Sequence, residues 1–152
     1  MPELDDKQLA QRLQRWVDGK GTLKDVRGYT DEELYSIART GYFFFYQGRI
    51  DEARTLFQGL YAVNPVDPYF AKALGVVEMA AGNAQGALAA YDVAIKIAPD
   101  DPHAYVGRAE VKIAMGQKSG AVDDLRRAAQ FPRIEEELKA KISAMLQGLS
   151  RK

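Results

Sequence analysis

The sequence predicts an all-α fold, with helical hairpins stacked into a curved right-handed array and a further helix at each end. Two observations carry this reading. Side-chain types recur every 34 residues over most of the chain, and helix-start signals stand ahead of the recurring units. A third agrees with them: a glycine falls where each hairpin must turn.

The recurrence has six registers. Gly48, Gly82 and Gly116 share one; Ala53, Ala87 and Ala121 a second; Phe57, Tyr91 and Leu125 a third. Leu60, Ala94 and Ala128 form a fourth, Gly41, Gly75 and Ala109 a fifth, and Pro65 with Pro99 a sixth. Small residues at 41, 75 and 109 let the first helix of a hairpin (A) approach the second (B) closely, and the alanines at 53, 87 and 121 do so from helix B. The larger residues at 57, 91 and 125 fill the space between successive units. Gly48, Gly82 and Gly116 suit a turn that needs positive φ.

Each A helix has a start signal. Thr30 with Glu33 reads as a capping box, while Asp67-Pro68 and Asp101-Pro102 each place an N-cap aspartate before a proline at the first helical position. The A helices are therefore expected at 31–47, 68–81 and 102–115, and the B helices at 50–63, 84–97 and 118–130. A 34-residue unit of two antiparallel helices is similar to the tetratricopeptide repeat. The fold expected is thus three tetratricopeptide repeats with flanking helices.

Before the repeats, residues 3–18 carry Leu9, Leu13, Trp16 and Val17 on one helical face, and Gly19 and Gly21 break that helix ahead of a short linker. Two partners suit the face: repeat one of the same chain, or a second copy. After the repeats, residues 133–149 put Ile134, Leu138, Ile142, Met145 and Leu149 on one face, with Glu137 and Lys141 as an i,i+4 ion pair outside it. A polar-backed helix there would cap the stack. Three segments result: 1–30 as amphipathic helix and linker, 31–133 as the repeats, and 134–152 as the cap.

Composition narrows the function. Of 152 residues 47% are apolar and 28% charged, enough for a core inside a soluble surface. Basic and acidic residues number 21 each, so the positive surplus that nucleic acid or an anionic membrane would need is missing. The absence of cysteine excludes a disulfide scaffold and thiolate chemistry. The opening stretch MPELDDKQLAQRLQRW lacks the apolar centre of a signal peptide, and no apolar run approaches a membrane span. A soluble, cytoplasmic protein is expected.

The A helices should line the concave wall. Positions not used against helix B are Tyr35, Ala38, Tyr42, Phe45 and Tyr46 in repeat one. Repeat two supplies Tyr69, Lys72, Val76 and Met79; repeat three supplies His103, Val106, Glu110 and Ile113. This groove is aromatic at one end and aliphatic through the middle, as suits apolar side chains of an extended segment. Within the run from Tyr42 to Tyr46, about half belongs to the core on periodicity alone: Phe44 toward helix B and Phe43 against a neighbour.

Catalysis finds no foothold. His103 is the sole histidine and has no metal-ligand set around it. Glu135 and Glu137 fit the first turn of the last helix, Asp100 and Asp101 belong to a cap, and Asp123 and Asp124 are expected to face solvent. No cofactor is expected and the chain reads as a non-enzyme.

The stretch LFQGLYAVNPVDPYFAKALG (56–75) carries Phe57, Leu60, Asp67, Phe70, Leu74 and Gly75. With Gly21-Thr22-Leu23 and Val26 before the repeats, and Ala109-Glu110, Ile113 and Gly116 in the third, it resembles the class II (translocator) chaperones of bacterial type III secretion. The resemblance implies a chaperone that holds an extended segment of hydrophobic translocator proteins in its concave groove before export. It also implies a possible homodimer, with the contact made by Leu9, Leu13, Trp16 and Val17. A generic repeat adaptor for another bacterial complex is the alternative. An adaptor gripping an acidic C-terminus would need converging cations, whereas Lys72 stands nearly alone.

Overall fold

The computed structural model describes residues 5–151, apart from the side chains of Leu13 and Trp16. The described residues form α1 (Asp6–Val17), α2 (Leu23–Arg27), α3 (Asp31–Tyr46), α4 (Ile50–Val63), α5 (Pro68–Ala80), α6 (Ala84–Ile97), α7 (Pro102–Ala114), α8 (Lys118–Ala129) and α9 (Glu136–Ser150). Helices α3 to α8 are the three A–B hairpins, starting where the caps predict. Thr30 Oγ1 accepts from the Glu33 amide at 3.1 Å while Glu33 accepts from the Thr30 amide at 3.2 Å. Asp67 and Asp101 accept from the amides of Tyr69 and His103 at 2.9 and 3.0 Å. Gly48, Gly82 and Gly116 have φ of 76°, 81° and 75°, a region that disfavours any residue with a Cβ.

The linker departs from expectation by forming a helix of its own. Thr22 and Asp25 make a second capping box, Val26 is buried, and Gly28 closes the turn at φ 75°. Those three features suffice for one ordered turn. Helix α1 packs against α2, and Arg12 donates to the Asp25 carbonyl at 3.2 Å.

The registers interlock as pairs. A Cβ at Gly41 would come within 2.8 Å of the Phe57 ring, and one at Gly75 within 2.7 Å of the Tyr91 ring. In the first two repeats the large residue of the B helix therefore seats on the glycine of its own A helix. Tyr91 reaches further: a Cβ at Gly107 of α7 would overlap the other edge of the same ring. One tyrosine thus joins the second and third hairpins, consistent with the filling role expected of it.

Two buried carboxylates fix the outer contacts between helices. Glu78 accepts from Arg54 at 2.8 Å, Gln58 at 3.0 Å and Asn83 at 2.7 Å. Burial opposes its charge, but Arg54, Asn83 and Gln58 outweigh that and hold the carboxyl below its usual value. Asp124 was expected at the surface and is instead 4% exposed. Arg108 binds both its oxygens, at 2.9 and 2.7 Å, and Lys112 adds a contact at 2.8 Å. The helical spacing that turns Asp123 outward brings Asp124 onto α7, where two cations compensate its burial.

Ile134, just ahead of the last helix, and Leu138 and Ile142 within it cover the core over repeat three, as the stripe predicts. Lys141 does not pair along the helix with Glu137; it bridges to Glu110 of α7 at 2.5 Å. Among the described residues no helix is long and apolar enough to cross a membrane.

Candidate peptide-binding groove

Repeat one supplies an aromatic platform. The Tyr35 hydroxyl donates to Asp67 Oδ2 at 2.5 Å, and its ring meets Tyr69 edge-on with centroids 5.3 Å apart. Tyr42 leans on Phe57 at 4.9 Å and stacks on Tyr46 at 6.3 Å. Tyr69 lies 6.4 Å from Tyr42, so four of the predicted tyrosines form one connected surface. The hydrogen bond to Asp67 pushes the Tyr35 hydroxyl up to about 12, and burial raises Tyr42 as well. Tyr35 and Tyr42 therefore remain neutral phenols at physiological pH.

The aromatic run divides differently from its periodicity. Phe44 is half-buried with the Arg49 guanidinium 4.2 Å above its ring, as a core position allows. Phe43 was expected against a neighbour but is 59% exposed. Phe45 is half-buried and meets the Tyr46 ring edge at 5.5 Å, while Tyr46 is 81% exposed.

Between α5 and α7 the surface hollows. One depression of about 270 Å³ is bordered by Val76, Met79, Tyr91 and Glu110. A second adjoins it, with Lys72, His103 and Val106 on one side and Leu138 and Lys141 of α9 on the other. The charges inside are already neutralised: Lys72 binds Asp101 at 2.6 Å, and Glu110 binds Lys141 at 2.5 Å. The surface offered is therefore more apolar than its composition suggests.

The fold brings most of the predicted groove residues together, in two groups. Ala38 is corrected: it is fully buried among Leu34, Ala53 and Phe57, because its small side chain faces helix α4. Val106 is 3% exposed and forms floor more than wall. Ile113 is 38% exposed but borders neither depression. Sequence reasoning missed Tyr91 as a floor residue, because its register marked it as filler; the hydroxyl on a filling ring was the available clue. It also missed Leu138 and Lys141, which lie beyond the last repeat. Among the described residues no His, Asp and Glu side chains converge as a metal site.

Of the predicted dimer contacts, Val17 is 72% exposed and Leu9 half-buried, while the side chains of Leu13 and Trp16 lie outside the described residues.

Stacked 34-residue hairpins with a concave apolar face place the chain in a class of binding scaffolds: it belongs to the tetratricopeptide-repeat family, whose sequence profiles match residues 41–102 and 78–141. Along nearly its whole length it is similar to the chaperone protein SicA of Salmonella dublin, at 27% identity over 148 residues, 96% of this chain and 88% of SicA. The type III secretion translocator chaperone SycD of Yersinia enterocolitica superposes with a TM-score of 0.79 at 21% identity, covering 84% of this chain and 98% of SycD. PcrH of Pseudomonas aeruginosa, solved with the chaperone-binding region of PopD, superposes with a TM-score of 0.74 at 23% identity, covering 81% of this chain and 95% of PcrH. The fold is that of the type III secretion translocator chaperones.

Proposed function

We propose that this chain is a non-catalytic chaperone that holds an extended hydrophobic segment of type III secretion translocator proteins in its groove. It keeps them soluble in the bacterial cytoplasm before export. One observation carries the reading: the A helices present a tyrosine platform and aliphatic hollows whose charges are satisfied internally, through Lys72 with Asp101 and Glu110 with Lys141. Such a surface accepts apolar side chains without leaving a buried charge unpaired. The relatives point the same way, since PcrH was solved with a client region of PopD bound.

Within this reading Tyr35, Tyr42, Phe45, Tyr46 and Tyr69 contact the client at one end. Val76, Met79, His103 and Val106 contact it further on, with the paired Lys72 and Glu110 at the edges. Residues 1–30 act as a dimerisation arm, 31–133 as the binding body and 134–152 as the C-terminal segment.

Co-expression with a hydrophobic translocator encoded beside this chain tests the reading. The expected outcome is a soluble translocator that co-purifies as a stable complex. Replacing Tyr42 and Phe45 together by alanine weakens that complex while circular dichroism shows the helices intact. A translocator that stays insoluble in every such pairing would overturn the chaperone assignment.

A further inference from the structure

We infer that helix α9, besides covering the core, forms the far wall of the binding groove, and that the bound segment turns a basic side chain toward Glu135 and Glu137. This rests on the peptide-binding reading above and extends it beyond the repeats. The occupant is the extended segment of the client.

Three hollows lie in series. The first, around Met79, shares Val76, Tyr91 and Glu110 with the second. The second shares His103, Leu138 and Lys141 with a third, which ends at Glu135 and Glu137. The concave path is therefore continuous from α5 across α7 onto α9. Its last stretch is built from a helix that the repeat pattern assigns only to capping.

A feature at the middle of the path points to a ligand independently. Tyr91 is 5% exposed and borders the first two hollows; its hydroxyl makes no hydrogen bond among the described residues and is not sealed from solvent. Its O–H is thus a free donor presented at the groove floor. An extended polypeptide carries one carbonyl per residue, so a segment lying over the ring supplies the acceptor that the chain itself does not.

Charge gives the path a direction. Lys72 and Lys141 are each closed by a carboxylate, at 2.6 and 2.5 Å. Glu135 and Glu137 are exposed, and no lysine or arginine pairs with either among the described residues; only His103 approaches Glu135, at 3.7 Å. A lysine or arginine following the apolar part of the segment meets these two carboxylates.

Photo-crosslinking of the full-length complex with the co-expressed translocator separates the two readings. p-Benzoylphenylalanine is placed at Tyr46 in one variant and at Glu137 in another, both exposed positions. The expected result is that both crosslink to one extended client segment, with the Glu137 adduct within a few residues of a lysine or arginine. Crosslinking from position 46 alone overturns the α9 wall and leaves the groove standing; crosslinking from neither overturns the groove itself. Tyr91→Phe is expected to weaken client binding about fivefold, the equivalent of one hydrogen bond, with an unchanged melting temperature. Undiminished affinity removes the hydroxyl from the site. E135K/E137K is expected to weaken binding several-fold at low salt, and an unaltered affinity removes the basic side chain from the proposal.

Discussion

The Tyr35 hydroxyl donates to Asp67 Oδ2 at 2.5 Å, tying the A helix of the first hairpin to the residue that caps the A helix of the second. The next junction repeats the device with different chemistry: Lys72 reaches Asp101, the cap of α7, at 2.6 Å. At the third, His103 faces Glu135, the residue before α9, at 3.7 Å. An aspartate that ends one turn of chain thus also sets how two repeats dock.

Tyr35→Phe removes only that hydroxyl and keeps the ring on the aromatic platform. The expected cost is about 1 kcal/mol, within the usual range for a hydrogen bond. For a chain of this size the melting temperature falls by about 2–4 °C. Thermal circular dichroism checks it, and an unchanged midpoint would show that the bond adds nothing to docking.

Stability declines on the alkaline side through three phenols, Tyr35, Tyr42 and Tyr91, whose folded values are all raised. Hydrogen bonding to Asp67 raises Tyr35, and burial raises Tyr91, each from 10.0 to about 12. A raised folded value means that the native state holds the proton more tightly than the unfolded chain. The contribution is complete below pH 10 and is lost as pH rises through 12. Urea titrations across that window should show wild type losing stability, with the slope reduced in Y35F and Y91F.

Asp124→Ala separates two neighbouring carboxylates that look alike in sequence. It strips Arg108 and Lys112 of a partner that is 4% exposed, at a cost of about 3 kcal/mol. Asp123→Ala, at an exposed position, changes stability by less than about 0.5 kcal/mol. Chemical denaturation of both variants gives the comparison; equal midpoints would contradict the buried network.

Gly75→Ala and Gly59→Ala should move in opposite directions. Alanine favours either helix by roughly 0.5–1 kcal/mol. At position 75 the added Cβ would stand 2.7 Å from a ring held on its far edge by Gly107, and relief of that overlap costs about 1–3 kcal/mol. At position 59 nothing lies within 4 Å, so the helix preference acts alone. Melting temperatures of the pair decide whether the close approach limits position 75.

Trp16→Glu and Val17→Glu test the proposed arm. If α1 joins two copies, each variant shifts a dimer toward monomer in light scattering while leaving helicity intact. An unchanged mass in both would remove α1 from the contact.

Much of the fold was legible because repeats reveal themselves by period. Asp67 and Asp101 announce helix starts through local hydrogen bonds that need no tertiary partner, and Gly48, Gly82 and Gly116 announce turns through backbone sterics. Even α2 had its signal, since Thr22, Asp25 and Gly28 spell a capped turn around Val26. The groove was legible by position but not by pairing. Lys72 and Glu110 lie near the concave face as expected, yet only the docking of α7 and α9 shows that Asp101 and Lys141 neutralise them.

The tie between Tyr35 and Asp67 marks the division between the two kinds of information. Helical register and capping depend on residues a few positions apart, so the sequence by itself determined three hairpins, their boundaries and the face each A helix presents. Contacts made across 29 or 32 residues, such as Lys72 with Asp101 and Tyr35 with Asp67, depend on how those hairpins stack. Tertiary structure alone decided that Asp124 is buried, that Ala38 belongs to the core and that Lys141 pairs with Glu110. The physical reason is common to all three. A side chain's burial and charge state are set by the helix packed against it, and no local pattern names that partner.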